Sequence, residues 1–230
     1  KETTDFADAK RRLKAILAKT NVENINNLND PILNTKVSIR TAMAFFFIQC
    51  GWPTCFYFTY VYCANILKNS FAFTAEQVIQ QNFIVSITGL LGYMALLYLS
   101  YKIHPLKILK FKVIVFIPFI LFCPYIIFNL VDSTGLLLVQ AFLVLFVLST
   151  NPATPIFYSY FPIFKRFSYA GFTYAFSRVF MHIATSFGLI YSEKYFGNWG
   201  MLLIMLPVTI GYGFGIFYFV KLEKEVGNYP

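Results

Sequence analysis

Six stretches of about 20 predominantly apolar residues, divided by short charged loops, constrain this chain most, because that length is what a helix needs to cross a hydrocarbon core. They cover residues 41–67, 77–101, 113–131, 136–158, 167–191 and 199–220. The alternation of barrel strands is missing, and the apolar runs are too long for such strands. The expected fold is all-α: a polytopic membrane protein whose six transmembrane helices form one bundle. Residues 1–40 read as a basic segment before the bundle of residues 41–220, and residues 221–230 as a short tail after it.

Charge sets the expected orientation. Of the 19 Lys and Arg residues, all but Lys68, Lys194 and Arg178 fall in the N-terminal segment, the loops after the second and fourth spans, or the C-terminal tail. The loop cations are Lys102, Lys107, Lys110 and Lys112, then Lys165 and Arg166. Cytoplasmic loops carry the excess of Lys and Arg, so both termini are expected in the cytoplasm, with the chain multi-pass in the cell's inner (cytoplasmic) membrane. The formal charge of +9 then reflects topology and contact with anionic lipid, and nucleic-acid binding is not expected.

Residues 1–20 suggest an amphipathic helix, with Phe6, Ala9, Leu13, Ile16 and Leu17 opposite Lys10, Arg11, Arg12 and Lys14. Residues 21–34 hold six asparagines and Asp30-Pro31, which read as a polar linker. Gly89, Gly92, Gly171, Ala175, Gly211, Gly213 and Gly215 mark expected close helix contacts. Cys50, Cys55, Cys63 and Cys123 lie within spans without metal-ligand spacing, so they read as packing residues. No nucleophile, base and orienter stand at workable spacing. Neither an enzyme, nor a metal, nor a cofactor is expected.

Arg178 is the sharpest local signal. A mid-span cation costs several kcal/mol unless it faces a cavity, the bundle interior or a partner. His182 follows four residues later, and Thr185 and Ser186 extend the stripe. Two readings stay open: a binding stripe for an anionic or zwitterionic group with His182 as proton relay, or a packing device. Gln49, Gln81 and Gln140 are the polar residues best placed to line a cavity, with interhelical hydrogen bonding as the alternative. All ten carboxylates lie in tails, loops or span ends, so His182 or a group elsewhere would have to carry a proton. A single Asn151-Pro152-Ala153 run does not make a water channel, which needs two on paired half-helices.

Three motifs carry a family resemblance. Lys1-Glu2-Thr3-Thr4-Asp5-Phe6 is similar to the start of a basic central loop, Phe58-Thr59-Tyr60-Val61-Tyr62 to an aromatic stretch of a seventh span, and Phe161-Pro162-Ile163-Phe164-Lys165-Arg166-Phe167-Ser168 to a loop between tenth and eleventh spans. Taken in order, they resemble the C-terminal half of a major facilitator superfamily transporter, in the metabolite:proton symporter group that includes proline/glycine-betaine transporters. The chain departs from that pattern at Tyr101 and His104, where the family places an acid and a glycine, and Arg178 has no counterpart in it.

The resemblance implies half of a secondary active transporter. Its work would be proton-coupled uptake of a small polar metabolite, such as a zwitterionic osmolyte, amino acid or carboxylate, by alternating access. Arg178, His182, Gln49, Tyr60 and Gln81 would line the pathway, with the aromatics near Tyr57 and Tyr60 around a quaternary ammonium group. Lys102, Lys107 and Arg166 would belong to the gating loops. The implied partners are an N-terminal six-helix half, from the same gene or a separate chain, or a second copy. The alternative is a non-transporting membrane scaffold or partner subunit derived from such a half.

Overall fold

In this computed structural model the described residues are 37–229, together with Ala7, Asp8, Arg11, Arg12, Lys14 and Ala15 near the N-terminus. Those six are helical and exposed; the rest of the expected amphipathic helix, and the whole 21–34 linker, lie outside the described residues.

Helices make up the fold, and no strand occurs among the described residues. The first, α1 (Ile39–Phe56), passes through a π-helical stretch, Tyr57–Tyr62, into α2 (Cys63–Phe71). Next come α3 (Ala75–Ser100), α4 (Pro105–Phe128), α5 (Ser133–Leu145), the short α6 (Thr154–Ser159) and α7 (Arg166–Phe196). A 3₁₀ turn, Gly197–Met201, leads into α8 (Leu202–Val226). Three of these stretches are long and apolar enough to cross a membrane: Ala75–Ser100, Pro105–Phe128 and the run Arg166–Val226.

Local chemistry sets the boundaries. Thr74 and Gln77 form a reciprocal capping box at α3, each side chain bonding the other's backbone N–H. Asp132 caps α5 through the Gly135 N–H. His104 accepts from the Leu106 N–H, and Pro105 at the first position has no donor to lose. Helix α4 therefore starts eight residues before the apolar run at Val113, and Lys107, Lys110 and Lys112 lie on it instead of in a loop. Gly227, at φ +82°, ends α8 beyond the expected limit of the bundle at residue 220.

The fourth apolar run departs most from expectation. It is not one helix: α5 ends at Leu145, and residues 146–153 are irregular before α6 begins. Pro152 cannot supply a backbone donor and disfavours a helix through this segment, while Pro155 stands in the first turn of α6, where none is needed. Irregular backbone in an apolar setting requires its polar groups to be satisfied by protein. Here Lys112 Nζ donates to the Val147 carbonyl at 3.3 Å, and the Tyr212 hydroxyl to the Ser149 carbonyl at 2.7 Å. The Ala153 N–H reaches the Thr150 carbonyl at 2.9 Å. Lys112 is only 2% exposed, which corrects its assignment to the loop cations. Its ammonium sits just beyond the C-terminal end of α5, where the helix dipole favours positive charge.

Around this break, α8 packs against α1 and α4, α7 packs against α1, and α3 packs against α5. Phe45, Phe157, Phe161 and Phe219 meet ring to ring in the core. Gly215 faces the Ala44 carbonyl and Ile48, Gly211 faces Phe47, and Gly92 faces Leu145, as close contacts require. Gly171 has nothing within 4 Å of where a Cβ would stand, so it is not a contact. The tightest approach to the irregular segment is at Gly51, where a Cβ would fall 2.7 Å from the Leu148 carbonyl oxygen and 3.0 Å from the Tyr212 ring. Backbone cannot yield as a side-chain tip can. Gly51→Ala should cost about 1–3 kcal/mol and lower the melting temperature of the detergent-purified protein, whereas Gly171→Ala should leave it unchanged or raise it.

Candidate anion-binding cavity

Arg178 lies on α7, one turn after Tyr174, and its guanidinium carbon sits 4.7 Å from the centroid of the Tyr174 ring and 4.3 Å from that of Trp52 on α1. Its Nε and Nη1 are buried, and neither has a hydrogen-bond acceptor among the described residues. The cation faces a cavity of about 240 Å³, lined also by Gln49, Tyr93, Ser149, Thr150 and Asn151. The irregular segment thus supplies one wall of it. Two cation–π contacts are worth about 0.5–2 kcal/mol each, whereas each unmet donor of a buried charge costs about 1–3 kcal/mol or more. The ring clamp fixes the guanidinium without satisfying its N–H groups. No carboxylate is among the described residues lining the cavity.

A larger cavity of about 540 Å³ adjoins it, and Trp52 and Tyr93 line both. Phe56, Tyr60, Ser86 and Gly89 contribute to this second space. The Tyr60 hydroxyl lies 3.2 Å from Ser86 Oγ, which in turn donates to the Asn82 carbonyl.

Of the residues expected on the pathway, Gln49 joins Arg178 in the smaller cavity and Tyr60 lines the larger. Gln81 lines neither. It donates to Gln140 Oε1 at 2.7 Å, and Gln140, fully buried, donates to the Thr59 carbonyl and to Asn82 Oδ1. Thr59 belongs to the π-helical stretch, whose wider turns depart from the regular α-helical hydrogen-bond ladder. The pair therefore ties α3 and α5 to the π-helical stretch after α1 as interhelical glue. His182 is exposed and outside both cavities. Four residues advance a helix by a full turn plus about 40°, which carries His182 past the inner face that Arg178 still reaches. Thr185 is buried and bonds back to the Met181 carbonyl, and Ser186 is exposed, so the expected polar stripe does not hold together. Tyr57 packs at the edge of the core.

The basic loops carry structural contacts. Arg166 donates to the Phe161 carbonyl through Nε and Nη2, closing the turn before α7. Lys102 lies over the Tyr98 ring, and Lys107 and Lys224 over that of Tyr229. Sequence reasoning missed Glu223, which is 5% exposed and accepts a 2.6 Å bond from the Tyr160 hydroxyl. Burial and that carboxylate together push the Tyr160 phenol above the usual tyrosine range. Trp52 and Tyr174 were missed too, although Tyr174 stands four residues before Arg178, where an aromatic can cover a guanidinium on the same face. Comparison with known proteins yields no match: no family model, no curated protein and no solved structure is similar to this chain.

His104 gives this end of the molecule a pH response. Burial lowers its pKa from 6.5, Glu223 opposes that and Lys107 adds to it. Only the neutral ring can accept from the Leu106 N–H. The unfolded chain takes up the proton more readily, so this contribution is full above pH 6.5 and is lost as pH falls below it. Between pH 7.5 and 5.5 the wild-type melting temperature should fall further than that of His104→Asn, which keeps a neutral cap.

Proposed function

We propose that the chain is a six-span bundle in the cytoplasmic membrane and forms one half of a secondary transporter of the major facilitator type, which binds an anionic metabolite at Arg178. The observation that carries this reading is the guanidinium of the half-buried Arg178, clamped by two rings, with its Nε and Nη1 buried and lacking acceptors among the described residues, and with the same side chain lining a cavity. Structural cations can be satisfied locally, as Lys112 is by the Val147 carbonyl. In this reading the acceptor for Arg178 is a bound anion. An interrupted helix lining the cavity adds support, since transporter sites are typically built at such breaks. Both termini are cytoplasmic in this reading, and the second six-helix half is a separate segment or a second copy. Coupling to protons rests on the family resemblance alone.

The test is uptake of labelled acetate, proline and glycine betaine into proteoliposomes holding the protein, under an imposed pH gradient. Arg178→Gln should lower uptake at least tenfold while elution profile and membrane insertion stay unchanged. Uptake undiminished by that substitution overturns the assignment.

The position of His182 favours a second reading, a scaffold or partner subunit. It lies on an exposed α7 face with Val179, Ile183 and Phe187, where another chain would cover it. In that case the wild-type protein shows no uptake, and His182→Cys cross-links to a neighbouring chain. His182→Gln should leave uptake within twofold of wild type if Arg178 alone holds the substrate; a loss as large as that of Arg178→Gln restores the proton relay.

A further inference from the structure

Resting on the anion-binding reading of Arg178, we propose that the two cavities are one site for an amphipathic carboxylate: the carboxylate on Arg178, and an uncharged apolar body along Phe56, Tyr60 and Gly89. Three observations converge on this ligand class. Trp52 and Tyr93 line both cavities, so the larger space neighbours the one at Arg178 across the same two rings. The larger cavity, about 540 Å³, falls in the range that holds drug-sized ligands and far exceeds the needs of acetate or a simple amino acid. Among the described residues its lining has no charged side chain, and the Tyr60 and Ser86 hydroxyls are already engaged with each other and with the Asn82 carbonyl. Apart from the hydroxyls of Thr59 and Tyr93, what remains on offer is apolar and aromatic surface.

The same geometry disfavours a zwitterion with a quaternary ammonium. The guanidinium itself occupies the Trp52 and Tyr174 ring faces, the best cation–π surfaces near the anion site. A second cation placed a few ångströms from Arg178 would be repelled by it, with no carboxylate among the described residues of either lining to offset the repulsion. An uncharged body meets no such penalty, and its burial is worth about 25 cal/mol per Å² of apolar area.

Trp52 provides the readout. The chain has two tryptophans, so in a Trp199→Phe background the emission of the purified full chain reports on the shared wall. Four probes are titrated: acetate, cyclohexanecarboxylate, cyclohexylmethanol and glycine betaine. Cyclohexanecarboxylate should bind at least tenfold tighter than the other three. Arg178→Gln should weaken it at least tenfold and leave cyclohexylmethanol unchanged, while Arg178→Lys should retain part of the affinity. Ser86→Leu, which fills the larger cavity from an exposed position, should bring cyclohexanecarboxylate down to the level of acetate without changing acetate itself. Equal, Arg178-dependent binding of acetate and cyclohexanecarboxylate overturns the amphipathic ligand and leaves the anion site standing. Tighter binding of glycine betaine does the same. Absence of Arg178-dependent binding for every carboxylate overturns both the inference and the reading beneath it.

Discussion

The break in the fourth apolar run organises its surroundings, because it leaves backbone carbonyls that the helix would otherwise have consumed. Two are met by groups from other elements, Val147 by Lys112 of α4 and Ser149 by Tyr212 of α8. The close approach of α1 at Gly51 seals the Leu148 side. Two helices are thereby held to the irregular segment by polar contacts and a third by close backbone approach. Among apolar helices in lipid, where greasy surfaces have little preference for one another over the solvent, such contacts and close backbone approach specify the arrangement. The break also faces Arg178, so the element that fixes the packing is the one that shapes the cavity wall.

Lys112 and Arg178 make an instructive pair. Both are cations in apolar surroundings, but one donates to a carbonyl whereas the other is held by the faces of two rings, with no acceptor for its Nε and Nη1 among the described residues. Ring faces attract positive charge without accepting hydrogen bonds in the plane of the guanidinium. That distinction separates a group that completes the fold from one that still has bonding capacity to offer. It is also why Arg178, and not the better-buried Lys112, anchors the proposed site.

The helical class and most helix positions could be read from hydropathy, since runs of 20 apolar residues leave few alternatives. Arg178 and Gln49 were recognisable because polar groups in such runs carry a cost that needs a reason. Other features depended on rotation and pairing that composition does not encode. His182 shares a nominal face with Arg178, but the 40° lag turns it outward. Gln81 and Gln140 looked equally able to line a cavity, and only their contact with Asn82 and the Thr59 carbonyl makes them glue. Lys112 read as a loop residue because a hydropathy window cannot see the Pro105 helix start. Glu223 hid in a charged tail, where its bond to Tyr160 across 63 residues left no local trace.

Helix α3 shows what a one-sided contact means for a chain of this kind. Its buried positions are Val78, Gln81, Val85 and Gly89, a single line facing α5. The remaining circumference, with Ile79, Phe83, Ile87, Leu91 and Met94, touches little of the bundle. Selection on those outer residues therefore acts through whatever medium surrounds them. They are free to exchange among apolar types as long as that medium stays oily, while the inner line must keep its shape. The helix carries two sequences in one: a narrow one written for its neighbours in the fold, and a broad one written for its environment.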